Sequence, residues 1–140
     1  MTVLTQTHTI KTQGRGLIEI TDLAKDVLSE SKFQDGVLNI FCQHTSCSLV
    51  IMENADPSAR ADLEYFFNKL VPENDPGFQH TAEGSDDMPS HIKMALTRTT
   101  EAIPFASGKL LLGTWQGLFL WEHRASPHSR RLVFSVLGKA

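Results

Sequence analysis

GVLNIFCQHTSCSLVIM, residues 36–52, is a run of strand-forming residues interrupted by His44, Thr45, Ser46 and Ser48. Burying an unpaired polar group costs roughly 1–3 kcal/mol. These four side chains must therefore be paired, exposed in a turn, or used. The stretch reads as a strand over 37–43, a polar corner at 44–46 and a second strand over 47–52. A turn between paired strands would ordinarily use Gly, Asn or Asp. The corner contains none of them, so turn chemistry alone does not account for its residues.

Outward from this stretch, strand and helix patterns alternate. Residues 2–12 and 17–20 read as strands on either side of a Gly-Arg-Gly turn. Thr21 reads as the N-cap of a helix through DLAKDVLSES, with Leu23, Val27 and Leu28 on one face. Asp56-Pro57 opens the next helix, with Asp at the cap and Pro at the first helical position. Ala59, Leu63, Phe66, Phe67 and Leu70 form its apolar stripe, which predicts a core-packing helix. A long polar connection follows over 71–89, and Pro89 opens a third helix through residue 100. Strands are expected at 109–113, 116–122 and 131–137. The pattern predicts an α+β protein, a single compact domain over 1–140 with a mainly antiparallel sheet and about three helices.

Composition narrows the function classes. The 140 residues carry a net charge of −3, against the basic surface that general nucleic-acid binding needs. No apolar run approaches the ~20 residues of a membrane helix, and no secretory signal pattern is visible at the start. Cys42 and Cys47 read as buried free thiols of a reducing compartment, which predicts a cytoplasmic protein. Charge is unevenly spread. Residues 53–87 hold nine acids against Arg60 and Lys69, a local charge of −7, whereas 123–131 holds Arg124, Arg130 and Arg131 with no acid. Two solvated surfaces would explain this. So would one site with a cation end and an anion end.

Four constellations carry candidate chemistry. His44 at a strand end, His80 in the long connection and His91 in a helical first turn would make three imidazoles from three elements. With an open fourth position, that is the arrangement of catalytic zinc sites. Glu83, Asp86 and Asp87 flank the same connection and suit a supporting shell. Glu53, Asn54 and Asp56 crowd a turn before a helix, and Asp62 lies one turn on; helix capping needs only Asp56. In GTWQG (113–117), Trp115 and Gln116 would suit a heteroaromatic ligand, one by stacking and one by hydrogen bonding. Glu122 precedes the arginine-rich loop, whose forks match phosphate or carboxylate.

HTSCSL (44–49), ENADPSARADL (53–63), His80 with DMPSHIK (87–93), GTWQGLFLWEHR (113–124) and the Arg130-Arg131 pair together resemble the YjbQ-like family, also called the secondary thiamine-phosphate synthase-like proteins. The resemblance covers about residues 15–138. It implies a compact α+β domain assembled as a homotrimer. It also implies thiamine-phosphate synthase activity as a secondary function, coupling hydroxymethylpyrimidine diphosphate to thiazole phosphate. Carried over, the family's polar positions fall on His44, Asn54, Asp56, Asp62, His80, His91, Trp115, Gln116, Glu122 and Arg131. The resulting expectation has His44, His80 and His91 binding a divalent metal, zinc or magnesium. Asn54, Asp56, Asp62 and Glu122 are expected to be catalytic. Thr45, Trp115, Gln116, Arg124 and Arg131 are expected to hold a small phosphorylated substrate. The rivals are a metal-dependent hydrolase of a small phosphorylated or acyl compound and a non-catalytic trimeric binding protein. All the residue roles require one cleft.

Overall fold

Alternating burial organises the longest strand. In β8 (Ser129–Lys139), Arg130, Leu132, Phe134, Val136 and Gly138 are buried, and the residues between them are exposed or half-buried. The computed structural model, which describes residues 1–140, places β8 between β1 (Thr2–Lys11) and β3 (Asp35–Cys42). β5 (Thr100–Ala106) and the short β6 (Lys109–Leu110) extend this five-stranded sheet in the order β1-β8-β3-β5-β6. A second sheet has the order β2-β7-β4, from Gly16–Glu19, Gln116–Glu122 and Cys47–Glu53. Every strand pair is antiparallel. With α1 (Thr21–Ser31), α2 (Pro57–Leu70) and α3 (Asp87–Leu96), the molecule is the α+β domain that the sequence predicts.

The core lies between the sheets. Leu38, Ile40, Leu132, Phe134 and Val136 meet Leu49, Leu118 and Leu120, and α1 adds Ala24, Val27 and Leu28. β7 is buried on both faces from Gly117 onward. Its other face meets α2, where the Phe67 and Trp121 rings pack edge-on at 4.6 Å and Arg60 lies over Phe119.

The polar corner proves to be a crossover. β3 and β4 belong to different sheets, so residues 43–46 carry the chain from one to the other instead of closing a hairpin. The Cys42 and Cys47 sulfurs meet at 3.3 Å inside that crossing. The side chains of His44 and Ser48 are paired, Thr45 is exposed, and Thr45 and Ser46 take contacts through their carbonyls. His44 Nε2 accepts from Arg131 N, the Thr45 carbonyl meets His91, the Ser46 carbonyl accepts from Arg130, and Ser48 Oγ meets His123 Nε2 at 2.9 Å.

Four local expectations are corrected. Thr21 is the first helical residue rather than the cap; its hydroxyl donates to Glu19 and accepts from Leu118 N, tying α1 to β7. The third helix starts two residues before Pro89, which sits in the first turn where its missing N–H costs nothing, and it ends at Leu96. β5 occupies residues expected to be helix end and loop. α2 has no fully buried residue; Tyr65, Phe66 and Leu70 remain more than half exposed.

Candidate metal centre

Asp87 is the hub. It is the first residue of α3, with 1% of its surface exposed, and His91 stands one turn later on the same helix face. Asp87 Oδ1 accepts from Arg124 Nη1 at 2.9 Å. Asp87 Oδ2 lies 2.9 Å from His80 Nε2 and 3.2 Å from His91 Nε2. His80 arrives from the connection between α2 and α3, and the two imidazole centroids are 5.4 Å apart. The three ligand atoms lie within 4.8 Å of one another. A cavity of ≈ 220 Å³ opens beside His80, lined also by Phe78 and Met88.

His91 decides what this cluster fits. Its Nδ1 lies 2.6 Å from the Thr45 carbonyl oxygen, and its Nε2 faces the Asp87 carboxylate. Both neighbours are acceptors only. A neutral imidazole has one N–H, so it can satisfy one of them. The arrangement needs either a second proton or a cation between Nε2 and Oδ2. In metal sites the outer ring nitrogen donates to a carbonyl while the inner one binds the ion, and the Thr45 contact has that form. Tetrahedral ligand atoms at ordinary zinc bond lengths stand roughly 3.3–3.5 Å apart, close to the spacings found. Two histidines and a carboxylate therefore fit a divalent ion with at least one position left open.

Arg124 supports the hub. Its guanidinium donates to Asp86 Oδ2 at 3.0 Å and to the Glu83 carbonyl at 3.0 Å, in addition to Asp87. Ala125 N also donates to Asp86. Burial alone would raise the Asp86 pKa, but these donors hold it below the ordinary carboxylate range. The acidic and basic segments thus form one ion-paired structure. All three Arg124 nitrogens are engaged with this acidic segment, so its main role in the chain is to hold Asp86 and Asp87.

The structure separates the remaining predicted residues. His44 stands outside the His80–Asp87–His91 group. The crossover turns its Nε2 onto the start of β8, where it accepts from Arg131 N at 2.7 Å, so the corner supplies the Thr45 carbonyl instead of a third imidazole. Burial and the Arg130 charge lower the His44 pKa. With exposed Arg131 and Gln43 it lines a separate cavity of ≈ 280 Å³. Glu122 is fully enclosed. Burial opposes its charge, yet Arg130, Thr12 and the Arg124 amide hold its pKa below the ordinary value. A carboxylate closed in this way braces β7 against β8 and offers no face to a substrate.

Asn54, Asp56, Trp115 and Gln116 lie at the other end of the second sheet. Glu53 pairs with Gln116, whereas Cys47 pairs with Glu122, beside the metal cluster. Six residue-to-residue steps along β7 separate the two ends, roughly 20 Å. Asp56 Oδ1 caps α2 by accepting from Ser58 N at 2.9 Å, and Glu53 accepts from Asp56 N. Asp62 is exposed, not turned inward. Trp115 is 62% exposed. One chain therefore does not gather these groups into one cleft. From sequence, Asp87 reads as a supporting carboxylate. The Asp87–His91 spacing of four was its signal, masked by placing the helix start at Pro89.

Comparison with known proteins agrees with the fold. The sequence model of a family described as UPF0047 protein YjbQ-like matches residues 6–139. A UPF0047 protein of Synechocystis is 48% identical over 93% of this chain and 88% of its own length. The UPF0047 protein YjbQ of Escherichia coli is 40% identical over 96% of this chain and 97% of its own. A solved structure from Clostridium acetobutylicum, described as a YjbQ/UPF0047 family protein, superposes with a TM-score of 0.86 at 33% identity, covering 94% of this chain and 99% of that one.

Proposed function

The chain belongs to the UPF0047 YjbQ-like family, and from that premise we propose that it is a divalent-metal-dependent enzyme acting on small phosphorylated compounds, with thiamine-phosphate synthesis as a secondary activity. The observation that carries the metal dependence is His91, held by acceptors at both ring nitrogens. The substrate pair comes from the family resemblance. Coupling breaks the bond between the pyrimidine methylene carbon and diphosphate, and the thiazole nitrogen forms the new bond to that carbon. Such a step needs positioning and charge stabilisation more than a proton relay. A divalent ion, when bound, supplies positive charge against the departing diphosphate. His80, His91 and Asp87 hold it; Arg124 and the Thr45 carbonyl fix two of those ligands in place. Arg131, exposed at the cavity it shares with Gln43 and His44, is the residue we assign to a phosphate.

Asn54, Asp56, Asp62, Trp115 and Gln116 would join this chemistry only in a site shared between copies. A homotrimer is consistent with the apolar face that α2 leaves uncovered at Tyr65, Phe66 and Leu70. The test of the reaction is a coupling assay with hydroxymethylpyrimidine diphosphate and thiazole phosphate in Zn²⁺, Mg²⁺ or Mn²⁺. Thiamine phosphate is the expected product. Folded, metal-loaded protein that makes none contradicts the transferase reading. The open position at the centre also suits activation of water, which supports hydrolysis of a phosphorylated or acyl compound as a second reading. That activity would consume the diphosphate substrate when the thiazole partner is omitted.

A further inference from the structure

The two thiols of the crossover take no part in the metal centre. β3 ends at Cys42 and β4 begins at Cys47, so the residues between them carry the chain from one sheet to the other. Both side chains are enclosed, at 1% and 0% exposure, and both are free thiols. Their sulfurs stand 3.3 Å apart. A disulfide closes at about 2.05 Å, so each sulfur has only about 0.6 Å to travel. A χ1 rotation of roughly 20° at each cysteine covers that distance, within the ordinary width of a rotamer well. The contact also has a direction. Cys42 Sγ donates to the Cys47 carbonyl at 3.7 Å, which leaves its lone pairs to accept from the Cys47 thiol. That bond lowers the Cys42 pKa against the effect of burial, and the His44 backbone and the Arg130 charge act in the same sense. The same bond, together with burial, pushes the Cys47 thiol up. Cys42 is thus the nucleophile of the pair and Cys47 the thiol held against it.

We infer that Cys42 and Cys47 form an oxidation site, which hydrogen peroxide converts to an intramolecular disulfide that clamps the crossover between the two sheets. The Cys42 thiolate attacks one peroxide oxygen. The O–O bond breaks, and the departing hydroxide takes up the proton that Cys42 gave up, forming water. Cys42 is then a sulfenic acid. The Cys47 sulfur attacks the Cys42 sulfur, the S–S bond forms and the S–O bond breaks. The second hydroxide leaves with the Cys47 proton as another water. Two thiols are oxidised and one peroxide is reduced, with no further reactant. Burial selects the oxidant. Gln43 and Thr45 are exposed on the outside of the crossover, and a cavity of ≈ 280 Å³ opens there at Gln43, His44 and Arg131. A molecule near the size of water passes; a bulky disulfide such as oxidised glutathione has no approach to sulfurs so enclosed. Contact with Cys47 also ends the oxidation early, because the sulfenic acid condenses before more oxygen adds. The closed ring ties the end of β3 to the start of β4 and restricts the unfolded chain. The chemistry needs neither the metal centre nor a substrate.

Treatment of the whole folded protein with hydrogen peroxide in EDTA tests this. Thiols are then counted in urea, and the intact mass and the peptide map are read without reductant. Wild type should lose both thiols, weigh two hydrogens less per chain, and yield a cross-linked Cys42–Cys47 peptide. Oxidised glutathione in excess should leave both thiols intact in the folded protein. Cys47→Ser lacks the second thiol, so its Cys42 should gain oxygen instead of a disulfide. Cys42→Ser should keep its thiol under the same treatment. The urea midpoint of oxidised wild type should rise, and that of peroxide-treated Cys47→Ser should not. Wild-type thiols that survive peroxide, a disulfide found only between chains, or faster reaction with oxidised glutathione than with peroxide overturns the assignment. A closed Cys42–Cys47 bond that lowers the midpoint overturns the clamp. The wild-type measurements decide the matter even where a serine variant fails to fold.

Discussion

Asp87 serves Arg124 with one oxygen and two imidazoles with the other while 1% exposed. Removing Arg124 would leave a buried carboxylate uncompensated, which costs about 3–5 kcal/mol when no water replaces the partner. Arg124→Ala is therefore expected to lose about 3 kcal/mol in urea denaturation and to bind Zn²⁺ roughly 10–100-fold more weakly, as loss of a supporting contact does elsewhere. His123 gives the second residue-scale prediction. Its imidazole is enclosed beside Ser48 and Trp121, and burial, reinforced by the Lys93 charge, pushes its pKa down to about 3. In the unfolded chain it takes a proton near pH 6.5. Between those values the unfolded state binds more protons, so stability falls as pH drops through that window. A folded His123→Gln variant should show a flatter stability profile between about pH 6.5 and pH 4, measured by denaturant midpoint; an unchanged slope contradicts the assignment.

Among the elements, α2 departs furthest from its sequence pattern. Its stripe of Ala59, Leu63, Phe66, Phe67 and Leu70 predicts core packing, yet only part of it, Phe67 above all, meets β7. Phe66 and Leu70 stay 55% and 53% exposed, the mark of a face that pairs with another surface. Phe66→Asp is expected to shift the particle mass from trimer to monomer in sedimentation. Its effect on monomer stability should stay within about 0.5 kcal/mol, as for surface substitutions generally. A wild-type chain that sediments as a monomer would remove the shared-site proposal. β5 was illegible for a different reason. Its buried positions are Glu101, Ile103 and Phe105, so a carboxylate occupies an inward slot, and Pro104 breaks the apparent run. β4, β7 and β8 were legible because apolar residues fill most of their inward slots.

For the molecule as a whole, local patterns predicted the α+β class, the three helices and most strands, because each depends on neighbours within about ten residues. What they did not carry was which ends of these elements coincide. That depends on β4 running antiparallel to β7, which sets Glu53 and Asn54 beside Gln116 and leaves Cys47 and Glu122 at the metal end. The candidate residues accordingly divide between two ends of one sheet. His80 and His91 meet over Asp87, His44 turns to β8, and the GTWQG segment faces a groove of its own. The central claim is the ion between His91 and Asp87. Elemental analysis of purified wild-type protein, His44→Ala and His91→Ala tests it most directly. One equivalent of a divalent metal per chain should be present in wild type, retained in His44→Ala, and lost in folded His91→Ala. A wild-type protein that takes up no metal, or a His91→Ala protein that keeps it, contradicts the account.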